Sequence, residues 1–358
     1  MHGPARDTSG TFLLDTGAGF LALDHRVAVA LGVSSGPAPS GVQFASRPVD
    51  SLSIAGVRIA ALAPALDIDA EVVRRATGRD VLGLIGQQPL DSSAVVIDYR
   101  RDSLTIVDSG HEAPIRPGET REIVPFELAG DGKILVGARL GAGARALTLI
   151  VDTGATKSAL FVPALDRDVE GWRRWQSMRG MSAPTLVGSP PAAIVRVPST
   201  RVRTTTGWLE LANMDAAVIT SELQGMLSRA SGRSIAGVLG YTFLRNYRVT
   251  LDYPRRRMLL DRHAGIPGRR YEYSQVGLQL EREADNLTVA GVVSKSPAGA
   301  AHIRAGDVLL EVDGRSYPPD RLLEATRALE GPPGTTVRIR LARGPRRWSV
   351  RLARRRLL

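Results

Sequence analysis

The sequence Asp-Thr-Gly-Ala occurs twice in this chain, and each occurrence follows a short apolar run. At an offset of 137 positions, residues 12–18 align with residues 149–155. A second block, made of two successive apolar-apolar-Gly steps, repeats at an offset of 154, where residues 81–86 align with residues 235–240. Because both blocks recur in the same order, the sequence predicts two homologous units. The second unit carries 17 additional residues between its two blocks.

Strand-like runs follow the second block in both units. Residues 95–99 and 248–253 are rich in β-branched and aromatic side chains, which favour strands. Each run is followed by a basic turn and a further apolar run, the pattern of a β-hairpin. We therefore expect a mainly β fold in both units, with short helices after the motif blocks, for instance near residues 24–31.

The composition excludes several classes of function. The chain has 358 residues and no cysteine, so disulfides, thiolate catalysis and cysteine-bound metals are excluded. The five histidines lack the spacing of metal ligands, and we expect no metal and no cofactor. No apolar run approaches the roughly 18 residues of a membrane-spanning helix, so no integral membrane segment is expected.

The net charge of +11 is concentrated in an arginine-rich C-terminal end. Residues 348–352 alternate as an edge strand does, with arginines on the wet face, and Arg354–Arg356 are interpreted as a solvated tail. No nucleic-acid partner is therefore expected. The chain as given begins without a signal peptide, and the compartment stays open, since an export signal is expected only if the true start lies upstream.

The residue types of the repeated motif indicate proton chemistry. The preceding strand brings Asp15 and Asp152 to the end of a buried element, and the following glycines, Gly17 and Gly154, permit a tight turn. Two facing loops would place the aspartates side by side, where they would share one proton. The ionised carboxylate could then activate a water while the protonated one polarises a carbonyl.

Both halves resemble lobes of the retropepsin-like (pepsin-type) aspartic peptidases, over about residues 10–262. The resemblance implies two acid-protease β-barrel lobes, catalytic Asp15 and Asp152, and a polypeptide substrate. It also implies that Thr16 and Thr153 cross-link the loops, and that the apolar-apolar-Gly block braces each loop from behind. The sequence thus predicts an aspartic-type endopeptidase.

Two alternatives remain open at this stage. The first unit has only 14 residues before Asp15, whereas strand-like sequence precedes Asp152 over about 30 residues, so the first lobe lacks opening strands or the true start lies upstream. If the first lobe cannot fold, a homodimer could pair two Asp152 loops; otherwise a monomer suffices.

A catalytically inactive, protease-like scaffold that binds peptides is the competing function. Residues 43–58 and 179–208 are candidates for a hairpin that covers substrate.

The last 88 residues follow a different pattern. Residues 296–301 (Ser-Pro-Ala-Gly-Ala-Ala) and 303–314, which contain Ala-Gly-Asp and Asp-Gly steps, resemble a PDZ domain in the strand order of bacterial peptidases. The resemblance implies binding of peptide or protein C-termini by strand addition. A helix near Leu322, Leu323 and Thr326 would form one wall of the groove, and the binding loop would be formed by Gly277, Leu278, Gln279 and Leu280.

The expected domain organisation follows from these patterns. Residues 1–115 are predicted to form the first lobe and residues 116–262 the second. Residues 263–270 are predicted to be a linker, and residues 271–358 a small α+β PDZ domain.

Overall fold

A computed structural model describes residue 1 and residues 8–39, 43–54, 56–60, 63–110, 112–185, 188–263 and 271–358. The fold is mainly β, with a β-barrel and a C-terminal PDZ domain, as the sequence predicts. The predicted linker lies almost wholly outside the described residues. Within the described part of the chain, no helix is long and apolar enough to cross a membrane.

The strands are numbered in chain order. Residues up to 110 contain β1 Thr11–Leu14, β2 Leu21–Asp24, β3 Gln43–Phe44, β4 Ser51–Ile54, β5 Val57–Ala60, β6 Leu66–Ile68, β7 Val81–Ile85, β8 Ser93–Asp98 and β9 Ser103–Asp108. Residues 112–263 contain β10 Thr120–Pro125, β11 Glu127–Leu128, β12 Ile134–Leu140, β13 Leu147–Val151, β14 Ser158–Phe161, β15 Ser177–Ser182, β16 Pro191–Arg203, β17 Trp208–Ile219, β18 Ile235–Leu239, β19 Tyr247–Asp252 and β20 Arg257–Arg262.

The remaining strands and the helices complete the framework. Residues 271–358 contain β21 Ser274–Gln275, β22 Leu278–Glu283, β23 Asn286–Val292, β24 Val308–Val312, β25 Thr336–Arg343, β26 Arg346–Ala353 and β27 Arg355–Arg356. The helices are α1 His25–Ala30, α2 Glu71–Thr77, α3 Val162–Asp168, α4 Leu223–Ser231, α5 Tyr241–Leu244, α6 Pro297–Ala300 and α7 Leu322–Leu329, with 3₁₀ turns at Gln88–Leu90, Trp172–Arg174 and Pro319–Arg321.

Each repeat unit has its own sheet, and the two sheets share a pattern. The first has the order β1-β7-β2-β6-β3, and the second contains the run β13-β18-β14-β17. In both, the strand before Asp-Thr-Gly pairs in parallel with the strand of the apolar-apolar-Gly block. The units differ at one edge, because β1 is the first strand of its sheet whereas β13 also pairs with β12.

The additional residues of the second unit lie mainly in one hairpin. Ala22 pairs with Leu66 in the first sheet, and Ala159 pairs with Ala217 in the second. The offset thus rises from 137 between the first partners to 151 between the second, so 14 of the 17 additional residues precede Ala217. They lengthen the hairpin β16–β17, which has no counterpart of equal length among the described residues of the first unit.

A third sheet joins the two units, with the order β10-β20-β19-β8-β9. The hairpins predicted from the repeated strand-like runs are confirmed as β8–β9 and β19–β20, and β8 pairs with β19 across the repeat boundary. Asp261 is fully buried in this sheet between Arg121 and Arg248, at 2.6 Å from each guanidinium. Burial alone would raise the pKa of Asp261, but the hydrogen bonds from both arginines hold it below the ordinary value.

The PDZ domain has a separate apolar core and a sheet of order β22-β23-β24-β25-β26. The helix predicted near Leu322, Leu323 and Thr326 is observed as α7. A small pairing of β21 with β27 returns the C-terminal end to the start of the domain.

The interpretation of Arg354–Arg356 as a solvated tail is wrong for Arg354, whereas Arg355 and Arg356 are exposed. Arg354 is buried and donates hydrogen bonds to the carbonyl oxygens of Ala328 and Leu329, each at 3.0 Å, which end α7. Cations stabilise the C-terminal carbonyls of a helix. Arg355 and Arg356 lie in β27, and Leu358 is buried in the core of the two repeat units.

We expect Arg354→Ala to destabilise the PDZ domain, because the substitution leaves buried carbonyl groups without donors. Loss of charge-assisted hydrogen bonds of this kind costs about 3 kcal/mol, measured as a shift of the urea midpoint at constant slope. The control is Arg356→Ala on the exposed β27, which we expect to change the free energy of unfolding by less than about 0.5 kcal/mol. Equal effects of the two substitutions would contradict the capping role.

Candidate functional site: paired aspartate loops and a PDZ groove

The two Asp-Thr-Gly loops are placed by their neighbouring strands. The backbone N–H of Asp15 donates to the carbonyl of Ile85 at 2.9 Å, and that of Asp152 donates to the carbonyl of Leu239 at 3.0 Å. The apolar-apolar-Gly strands β7 and β18 therefore brace the loops from behind, as the resemblance implies. Gly86 fits this contact because a Cβ there would lie 2.5 Å from the carbonyl oxygen of Ala18.

Reciprocal threonine hydrogen bonds tie the two loops together. The Thr16 N–H donates to Thr153 Oγ1 at 3.2 Å, and the Thr153 N–H donates to Thr16 Oγ1 at 3.1 Å. Each hydroxyl then donates across the pair, Thr16 Oγ1 to the carbonyl of Val151 at 2.8 Å and Thr153 Oγ1 to that of Leu14 at 2.7 Å. The cross-link predicted for Thr16 and Thr153 is thus present.

The glycines of the motif allow the two carboxyl groups to face each other. A Cβ on Gly17 would lie 2.7 Å from the carboxyl carbon of Asp152, and one on Gly154 would lie 2.8 Å from that of Asp15. Each carboxyl group also accepts a hydrogen bond from its own loop, from Gly17 N–H at 2.9 Å and from Gly154 N–H at 2.7 Å. The structure thus brings together all six residues predicted for this site.

Enclosure and mutual repulsion change the acidity of the pair. Burial, and next the negative charge of Asp152, raise the pKa of Asp15 well above its ordinary value. Burial also raises the pKa of Asp152, although the hydrogen bond from Asp15 opposes that rise. Such a pair titrates as a unit. It favours a state with one shared proton, in which one group can accept a proton and the other can donate one.

A tyrosine beside the pair escaped the sequence analysis. Tyr99 contacts the ring of Tyr241 edge-on at 5.5 Å between ring centres, and both burial and the charge of Asp152 raise its pKa. Its buried hydroxyl has no hydrogen-bond partner among the described residues. The repeat of Asp-Tyr at residues 98–99 and 252–253 was the signal that could have identified it.

The predicted PDZ loop is only partly arranged as expected. Gly277 has φ = 90°, and a Cβ there would lie 2.3 Å from the side chain of Ser296, so the turn requires glycine. Leu278 and Leu280 are buried in the core of the domain. The side chain of Gln279 is directed elsewhere: its amide accepts from the N–H of Ser182 at 2.8 Å and donates to the Ser182 carbonyl at 3.0 Å.

A cavity of about 450 Å³ lies apart from the aspartate pair, and its lining includes Trp172, Trp175, Met181 and Arg179. Neither Asp15 nor Asp152 lines it, so it is not the cleft of the paired loops. The strand that contributes Arg179 also contacts the PDZ domain, because the Ser294 N–H donates to the Arg179 carbonyl at 2.8 Å.

Comparisons with known proteins identify one domain. The PDZ domain family matches residues 288–343. The chain is 25% identical over 83 residues to the "Probable CtpA-like serine protease" of Staphylococcus haemolyticus (strain JCSC1435), a match that covers 23% of this chain and 17% of that protein. The chain therefore spans about a sixth of the length of that relative.

Two solved structures of proteases are similar in part. The photosystem II D1 C-terminal processing protease is 25% identical, with a TM-score of 0.23 and coverage of 23% of each chain. An aspartic proteinase from Irpex lacteus is 14% identical, with a TM-score of 0.43 and coverage of 72% of this chain and 91% of the other. TM-scores this low assign neither a fold family nor a function to this chain. A relationship to proteases is supported, but not to one class of protease.

The enzyme class predicted from the sequence is contradicted. An aspartic-type endopeptidase acting through Asp15 and Asp152 was expected, but the curated relative is named as a serine protease. The physical source of the error is that two facing carboxyl groups define a proton-sharing pair without defining the reaction that the pair serves.

The raised pKa of Asp15 makes stability depend on pH in a defined direction. The folded chain keeps this proton to a higher pH than the unfolded chain does. The stabilising effect of the proton is therefore complete below the pKa of Asp15 in the unfolded chain, and it is lost as pH rises through the pKa in the folded chain. We expect Asp15→Asn, which has no proton to lose, to gain thermal stability relative to the unsubstituted protein between pH 4 and pH 7.5. Asp91→Asn, an exposed control, should show no such trend. The same dependence of Tm on pH in all three proteins would contradict the shared proton.

Proposed function

We propose that this chain takes part in proteolysis by binding the carboxyl-terminal end of a polypeptide at its PDZ domain. The observation that carries the proposal is the PDZ family match at residues 288–343. PDZ domains bind an extended peptide as an added strand at a sheet edge. The protease part of the proposal comes from the printed name of the curated relative, of which this chain covers a minor part.

The geometry of the domain supports strand addition. The strand β22 stands at the end of the sheet order, so one of its edges is not paired with another strand among the described residues. The tight turn at Gly277 is held by hydrogen bonds of 2.9 Å from Val293 N–H to the Gly277 carbonyl and from Ala298 N–H to the Val276 carbonyl. On the opposite wall, α7 exposes half of Leu323, an apolar surface that suits an apolar peptide side chain.

We propose that Asp15 and Asp152, supported by Thr16, Gly17, Thr153 and Gly154, form a second functional site as a proton-sharing pair. The proposal rests on the facing carboxyl groups and on the reciprocal threonine bonds. It assigns no reaction class. Infrared spectra of the unsubstituted protein and of Asp152→Asn at neutral pH test the proposal. A band of a protonated carboxyl group that is present in the unsubstituted protein and absent from Asp152→Asn supports the pair. Absence of this band from the unsubstituted protein rejects the pair.

We expect Leu323→Glu to weaken binding of a fluorescein-labelled peptide ending in Ala-Val-Ala-Leu with a free carboxylate. A charged side chain on the wall of an apolar groove opposes an apolar ligand, and a loss of at least about tenfold corresponds to roughly 1.4 kcal/mol. Fluorescence anisotropy with the full chain measures the affinity. Met226→Glu on α4, at a similarly exposed methionine, is the matched control and should bind like the unsubstituted protein.

Two results would reject the peptide-binding proposal. The first is equal affinity of the peptide for Leu323→Glu and Met226→Glu. The second is equal affinity of the unsubstituted chain for the carboxylate peptide and its C-terminal amide, because strand addition at the Gly277 turn places the peptide carboxylate against backbone N–H groups.

A further inference from the structure

The helix α2 of the first repeat unit lies against the PDZ domain, beside the strand proposed to bind peptide. It packs against β22, and Arg75 Nη2 pairs with Glu281 Oε1 at 2.7 Å. The C-terminal end of α2 reaches the opposite wall: a Cβ on Gly78 would lie 2.7 Å from Leu322 Cβ and 2.8 Å from the carbonyl oxygen of Pro319. One short helix therefore contacts both the strand and the helix that border the groove.

The position of α2 along the groove sets a length. A peptide bound with its carboxylate at Gly277 extends along β22 toward Glu281, at about 3.3 Å for each residue. A tetrapeptide therefore spans about 13 Å and ends near Glu281, where Arg75 is seated. A longer peptide that keeps pairing with β22 meets α2.

The helix is anchored on its other side to the first repeat unit. Arg74 is buried and pairs with Asp24 at 2.6 Å. Asp24 ends β2, accepts a hydrogen bond from the N–H of Ala70 at 3.2 Å, and caps α1 through the N–H of Arg26. The contact with the PDZ domain is weaker, because Arg75 is 39% exposed and Glu281 20% exposed, and partly exposed pairs contribute little. Separation is thus expected between α2 and the PDZ domain rather than between α2 and its own unit.

We propose that α2 is an internal gate on the PDZ groove: short peptide ends bind beside it, and longer extended polypeptides bind only when α2 separates from β22 and α7. This proposal rests on the peptide-binding function proposed above. Its basis is the double contact of α2 with Glu281 and Leu322, together with the buried Arg74–Asp24 pair that fixes the helix to the first unit.

A reversible lock tests the gate, because the chain contains no cysteine. In the double variant Gly78→Cys with Leu322→Cys, a shift of about 1 Å brings the two Cβ atoms to the spacing of a disulfide. The probes are a labelled tetrapeptide, Ala-Val-Ala-Leu, and a decapeptide with the same four terminal residues. Oxidation should weaken decapeptide binding at least tenfold and leave tetrapeptide binding unchanged, and reduction should restore it.

The same double variant, reduced, is the control for any cost of the two substitutions. Equal loss of both peptides on oxidation, or no loss of either, overturns the gate.

A charge reversal tests the gate without a cross-link. Arg75→Glu places like charges at the Glu281 contact and should strengthen decapeptide binding about three- to fivefold, while Arg75→Glu combined with Glu281→Arg should return it to the original value. Arg79→Glu, the same charge change just beyond α2, is the control. Equal decapeptide affinity in Arg75→Glu and Arg79→Glu contradicts the gate, with the peptide-binding function intact. Absence of binding by both peptides in every variant rejects the peptide-binding function, and the gate with it.

Discussion

The reciprocal hydrogen bonds between Thr16 and Thr153 are the constraint on which the rest of the two repeat units depends. Each threonine donates its hydroxyl to a carbonyl that precedes the opposite aspartate. The two loops can therefore adopt this geometry only together, with the C-terminal ends of β1 and β13 next to each other. Behind the loops, carbonyl groups of the apolar-apolar-Gly strands accept the N–H groups of the two aspartates, and the sheet that pairs β8 with β19 joins the two units.

This constraint also concentrates an unfavourable charge. The loops bring two carboxyl groups into contact where burial disfavours ionisation of both. The hydrogen bonds from Gly17 and Gly154 stabilise negative charge, but they do not remove the repulsion. A folded state that retains one proton reconciles these opposing effects.

The sequence predicts the parts of this fold that repeat or that follow a periodic pattern. The offset of 137 identified both aspartate loops. The runs of β-branched and aromatic residues, each followed by a basic turn and a further apolar run, identified the hairpins β8–β9 and β19–β20. It could not predict contacts between surfaces that share no pattern. Arg354 looked like a tail residue because nothing near it in sequence reveals the carbonyls at the end of α7. Gln279 was expected to contact a ligand because of the PDZ resemblance. Its actual partner, Ser182, lies 97 positions away in the sequence, and no pattern connects the two residues.

The failure to predict the enzyme class has a related cause. The residue types of a motif describe local chemistry and do not define a reaction. The curated relative, which is similar over 83 residues, is named as a serine protease. The contacts made by β15 and α2 make the PDZ domain part of the same assembly as the aspartate loops. From Arg74 the path runs through Asp24 to β2, which pairs with β7, and β7 ends at the carbonyl that binds Asp15 N–H. The helix proposed to gate the PDZ groove is therefore attached to β2, whose neighbour β7 binds the Asp15 loop.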